Sequence, residues 1–81
     1  SFVNHYALMI ALSKIDQYQA ECDLYSEKYG KNAEAFEGDL RKVKGVEDFE
    51  KEEDLEDWEF ALDALKWWQK KADELKSSSA R

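Results

Sequence analysis

The chain has no proline and only three glycines, Gly30, Gly38 and Gly45, in 81 residues. Few stops to regular structure are therefore written into it, and no glycine-rich phosphate loop can be built. Its one cysteine, Cys22, cannot close an intrachain disulfide. A lone thiol points to a reducing, cytoplasmic setting. Its one histidine, His5, stands near the start of the chain with no fixed partner. That histidine cannot complete a Ser/His/Asp or Cys/His catalytic group. The longest apolar run, Tyr6 to Leu12, has seven residues, where a membrane-spanning helix needs about 20. No signal peptide is visible. Residue 1 is serine, so a processed start is expected.

What remains is rich in helix formers, 43% hydrophobic and 38% charged. That balance predicts a soluble helical protein with a core, not a disordered chain. One domain of this length buries roughly 60% of its unfolded surface. Three Trp, four Tyr and four Phe are many for 81 residues, and they predict a partner or a self-association surface.

The net charge of −7 is unevenly spread. Residues 1–46 hold seven acids and six bases, and residues 47–81 hold twelve acids and six bases. Such a surface repels phosphate backbones, so direct nucleic-acid binding is not expected. It suits a basic protein, for which opposite charge speeds encounter and sets specificity. The acids concentrate between Glu47 and Glu59, where nine of thirteen residues are acidic and one, Lys51, is basic. Phe49, Leu55 and Trp58 lie inside that run, so it is not a plain acidic tail.

The spacing predicts one helical domain over residues 1–76, all-α, with a disordered tail at 77–81. Helix one is expected over 4–29, capped by Asn4 and stopped by Gly30. Leu8, Ile15, Cys22 and Tyr29 recur every seven residues, and Ala11, Tyr18 and Tyr25 form the second row of a heptad seam. Lys14, Glu21 and Lys28 flank that seam. Tyr6, Met9 and Ile10 lie off it, so the start of the helix is apolar nearly all round and needs more cover than one neighbour supplies. A short helix is expected over 33–42, capped by Asn32, with Phe36, Leu40 and Val43 toward the core. A long third helix is expected over 54–76. Its core stripe is Leu55, Trp58, Ala61, Leu62, Leu65, Trp68, Ala72 and Leu75.

Phe60, Ala64 and Trp67 form a second stripe on the third helix, at i, i+4 and i+7. One helix cannot turn both stripes into one small hairpin core. The expected architecture is therefore an antiparallel hairpin of two long helices with a short helix between. Two hairpins then pair as a homodimer, completing a four-helix bundle.

Metal and enzyme chemistry fit the residues poorly. A calcium loop needs a central Gly that does not follow Glu50, Glu52 and Asp54. A di-iron bundle needs Glu-x-x-His pairs, and His5 has no acid three residues before it. Glu52, Glu53 and Glu56 could imitate half of the magnesium site of an all-α nucleotide pyrophosphohydrolase. The first helix offers no matching acid pair facing its seam, so that metal-dependent enzyme is the remoter alternative. Cys22 at a seam position reads as a small buried apolar residue. No catalytic, cofactor or metal residue is assigned.

The run Glu27-Lys28-Tyr29-Gly30-Lys31-Asn32-Ala33-Glu34-Ala35-Phe36-Glu37 follows an E-K-Y-G-x-x-x-E-x-F-E pattern. Asp54-Leu55-Glu56-Asp57-Trp58-Glu59 follows D-x-x-x-W-E. Together, across residues 12–75, they resemble small acidic helical antitoxins of prokaryotic toxin–antitoxin modules. The resemblance implies a cytosolic, non-enzymatic protein that silences a toxin, often a basic nuclease. No basic DNA-binding element is present, so operator binding is not expected.

Two partner surfaces are predicted. The charged one is Glu47, Asp48, Phe49, Glu50, Glu52 and Glu53. The apolar one, for a partner or a second copy, is Phe60, Ala64 and Trp67 with Tyr6 and Ile10. The other reading is a self-associating structural protein, encoded on a mobile cassette, with no toxin partner.

Overall fold

A computed structural model describes residues 2–42 and 48–79. The chain is all-helical there, with α1 at Phe2–Tyr29, α2 at Ala33–Lys42 and α3 at Phe49–Ser79.

The helix ends follow from local chemistry. Gly30 takes φ of 65° and its N–H donates to the Ser26 carbonyl at 2.8 Å, which closes α1. Asn32 caps α2, its side-chain oxygen accepting from the Ala35 N–H at 2.8 Å.

Three boundaries differ from the sequence expectation. The first helix already runs from Phe2, so Asn4 lies within its first turn and is not its cap. The third helix starts at Phe49, five residues before Asp54. Asp48 caps it: Asp48 Oδ1 accepts from the Lys51 N–H at 3.2 Å, and its carbonyl accepts from the Glu52 N–H at 3.0 Å. Aspartate caps as well as asparagine, and the Glu and Lys that follow are good helix formers, so an earlier start gains a turn without penalty. At the far end the helix runs through Ser77 to Ser79, where a frayed tail is expected. Neither glycine nor proline stands there to stop it. The proposed core role of Val43 and the surface role of Glu47 fall outside the described residues, as do Ala80 and Arg81.

The contacts between α1 and α3 run in opposite chain directions. Tyr18 meets Phe60, Tyr25 meets Trp58, and Lys28 meets Asp54. The two long helices are therefore antiparallel. The heptad seam of α1 faces the core stripe of α3, with Ala11, Cys22, Trp58, Ala61, Leu65 and Ala72 buried between them. Ile15, Tyr18, Tyr25, Tyr29, Leu55 and Leu62 pack around this line, half-covered.

The densest packing lies where all three helices meet. Phe36 of α2 stacks on Tyr29 with ring centroids 4.0 Å apart. Trp58 sits within 5.8–6.4 Å of Phe36, Tyr25 and Tyr29. Such ring pairs add about 0.5–1.5 kcal/mol each beyond the area they bury. Away from that end the protein is a rod. Its extents are 56 × 18 × 15 Å and its radius of gyration is 16.6 Å, against about 12 Å for a compact domain of this length. A two-helix rod cannot cover both flanks of each helix, and its outer side chains stay in water.

Candidate protein-interaction surfaces

The acidic run divides by direction. One part turns inward to the end of α1. Lys28 Nζ donates to Asp54 Oδ2 at 2.6 Å and to Glu50 Oε1 at 3.1 Å. The Tyr29 hydroxyl donates to the same Asp54 oxygen. Asp54 is the covered member, its side chain 16% exposed against 44% for Lys28 and 75% for Glu50. The Lys28 hydrogen bond, then that of Tyr29, holds the Asp54 carboxyl below the usual carboxylate range. Lys28 is raised above the ordinary lysine value, by its bond to Asp54 first and to Glu50 second. Burial raises Tyr29, and the bond it donates to Asp54 adds to that.

The other part turns outward. Phe49, Glu52, Glu53 and Glu56 stand at i, i+3, i+4 and i+7, one surface of α3, and all are exposed. Among the described residues none of these glutamates has an ion-pair partner. Phe49 is 69% exposed. Asp48, by contrast, is occupied as the helix cap, with Lys51 3.9 Å from its carboxylate.

The five apolar surface residues read from the sequence all lie at least partly open. Tyr6 is 67% exposed, Ile10 41%, Phe60 65% and Trp67 57%, with Ala64 half-buried. Phe60 rests edge-on against Tyr18, ring centroids 6.2 Å apart. The Trp67 indole meets Trp68 edge-on at 4.8 Å.

Two grooves show how these flanks relate. One, of about 430 Å³, is lined by Gln17, Tyr18, Glu21, Leu24, Tyr25, Asp57 and Phe60. Another, of about 410 Å³, lies on the opposite side of the hairpin and holds Asn32, Ala33 and Glu34 of α2 beside Cys22, Leu62 and Lys66. Tyr6, Ile10, Gln17 and Leu24 follow one another by four, seven and seven residues, so they share one flank of α1. Phe60, Ala64, Trp67 and Lys71 share one flank of α3. The first groove puts both flanks on the same face, turned away from α2. That common face is absent from either helix read alone.

Cys22 is 5% exposed. Burial, with Asp23 and Glu21 beside it, raises its thiol, which suits a packing role. Among the described residues no three His, Cys, Asp or Glu side chains converge as metal ligands.

Sequence reasoning missed the inward network. Asp54 reads in the sequence as the start of the third helix and Lys28 as a seam-flanking base. Their signal was the antiparallel pairing itself, which sets the last turn of α1 against the first turns of α3.

No protein-family model, curated protein or solved structure matches this chain.

Proposed function

We propose that the chain is a non-enzymatic protein-binding module that works as a homodimer, two hairpins completing a four-helix bundle, and that its acidic end engages a basic protein. The observation that carries the reading is Phe49, 69% exposed beside Glu52, Glu53 and Glu56, which have no ion-pair partner among the described residues. The dipole of α3 accounts for acids in its first turns. It does not account for a large aromatic standing in water among them. An aromatic anchor ringed by carboxylates suits a basic groove: the ring fills an apolar pocket and the carboxylates steer the approach and set register.

The resemblance of Glu27–Glu37 and Asp54–Glu59 to acidic helical antitoxins gives the module its named form. Its partner is then a basic toxin such as a nuclease, whose phosphate-binding groove the carboxylates would occupy. The second reading is self-association into a structural protein with no toxin partner, for which the exposed apolar face suffices without the acidic end.

The test uses the product of a small basic reading frame beside the gene as titrant. It is titrated by calorimetry into the chain and into F49A/E52Q/E53Q/E56Q. A loss of about tenfold or more in affinity is expected, with helicity unchanged by circular dichroism. Equal affinity for both at moderate salt overturns the charged site. No binding to any such product, with the dimer intact, favours the second reading.

A further inference from the structure

The face turned away from α2 carries Tyr6, Ile10, Leu24, Phe60 and Trp67 exposed and uncovered. We infer that a second copy of the chain covers it in one antiparallel register, with the two-fold axis crossing Gln17 and Ala64, so that the dimer presents its two acidic ends at opposite ends. The inference rests on the homodimer proposed above and deepens it.

The register comes from the hairpin. The pairs Tyr18–Phe60, Tyr25–Trp58 and Lys28–Asp54 set Ala64 level with about residue 17 of α1. A two-fold axis lying in the face, across the rod at that level, reverses each helix upon its own copy. On α3 it sets Phe60 opposite Trp67 of the second copy and Asp57 opposite Lys71. On α1 it sets Ile10 opposite Leu24 and Lys14 opposite Glu21. One axis therefore matches apolar with apolar and acid with base on both helices at once. The small side chain of Ala64 lies at the crossing, where two helices come closest.

The charges decide against the other symmetric arrangement. An axis along the rod would stack both copies of the run Asp48–Glu59, eight acids and one base each, at one end. The antiparallel register instead sets Asp57 near Lys71. Asp57 has no ion-pair partner among the described residues, and Lys71 has only a 4.0 Å contact with Glu74. The area is sufficient. A face along a rod of 56 × 18 Å offers on the order of 1,000 Å², and a standard stable interface takes about 800 Å² per partner.

The consequence is bivalence. Phe49 of each copy stands fifteen residues from the axis along α3, so the two lie about 45 Å apart along the bundle. Each acidic end is free to take its own basic partner.

The experiment combines light scattering, a charge swap and a cross-link. Wild-type chain at tens of micromolar is expected at twice its 9.5 kDa mass. D57K and K71D should each weaken self-association about tenfold or more, and D57K/K71D should recover it, because the swap recreates both pairs across the axis. A64C should form a covalent dimer on oxidation, since its copies meet at the axis. Asp57 and Lys71 are exposed and Ala64 is half-buried, and circular dichroism checks that each variant stays helical. A monomer overturns this register and the homodimer together. A dimer that neither recovers in the double swap nor cross-links at residue 64 overturns the register and leaves the homodimer standing.

Discussion

The Lys28 ammonium donates to the Asp54 carboxylate across 2.6 Å, tying the last turn of α1 to the first turns of α3. Tyr29 donates to the same oxygen and stacks on Phe36. A single acid thus joins the charged end of the rod to its aromatic core. This contact separates the structural acids from those available to a partner.

Asp54→Ala should lower stability by about 1 kcal/mol or more in urea unfolding, since it removes the acceptor of the half-buried Tyr29 hydroxyl. Lys28→Ala should cost less, because Lys28 is 44% exposed. The pH dependence has a definite sign. The Asp54 carboxyl is depressed when folded. Its contribution is fully present above the ordinary aspartate value of about 3.9 and is lost as pH falls through the lower folded value. Asp39, held low by Lys31, acts in the same direction. Lys28 is raised when folded, so its contribution persists to about pH 10.4 and is lost as pH rises through the higher folded value. Acid titration of Asp54→Asn should show a flatter loss of stability than the parent. An unchanged acid limb would show that the contact carries no stability.

Trp58→Ala should cost about 3–5 kcal/mol, the range for emptying a large buried aromatic site. Trp58 is 2% exposed and touches rings from both α1 and α2. Phe49→Ala, nine residues earlier on the same helix, should stay within about 0.5 kcal/mol. Thermal melts of the two variants check this contrast. A comparable loss in both would mean that Phe49 belongs to the fold and not to a partner.

The two described glycines should respond in opposite directions to alanine. Gly30 holds φ of 65°, where an added Cβ costs about 1–2 kcal/mol. Gly38 lies inside α2 with nothing within 4 Å of a built Cβ, so Gly38→Ala should gain up to about 1 kcal/mol. For a domain of this size that is a shift in Tm of roughly 4–8 °C per kcal/mol. Equal shifts of the same sign would contradict the backbone assignment.

Local periodicity made much of this protein legible before any coordinates. The seven-residue rows of α1 and the three- and four-residue steps of α3 reappear as the buried line from Ala11 to Trp58 and Ala72. Gly30 and Asn32 end and begin helices because stop and cap chemistry depends on one or two residues. The exposure of Phe60 and Trp67 was readable for the same reason, since one helix cannot turn opposite flanks inward.

The start of α3 was less legible. Asp48 and Asp54 are both competent caps, and the choice depends on whether Glu50 has a base to meet. That base is Lys28, 22 residues earlier in the chain. Only tertiary structure decided which acids turn inward to α1 and which, with Phe49, turn to solvent. It also decided which side α2 covers, and so which flanks of α1 and α3 form the bare common face. Helix periodicity and caps are set by neighbours within about four residues. Ion pairs across a hairpin and the facing of two helices depend on register between residues far apart in sequence, and no window along the chain contains that register.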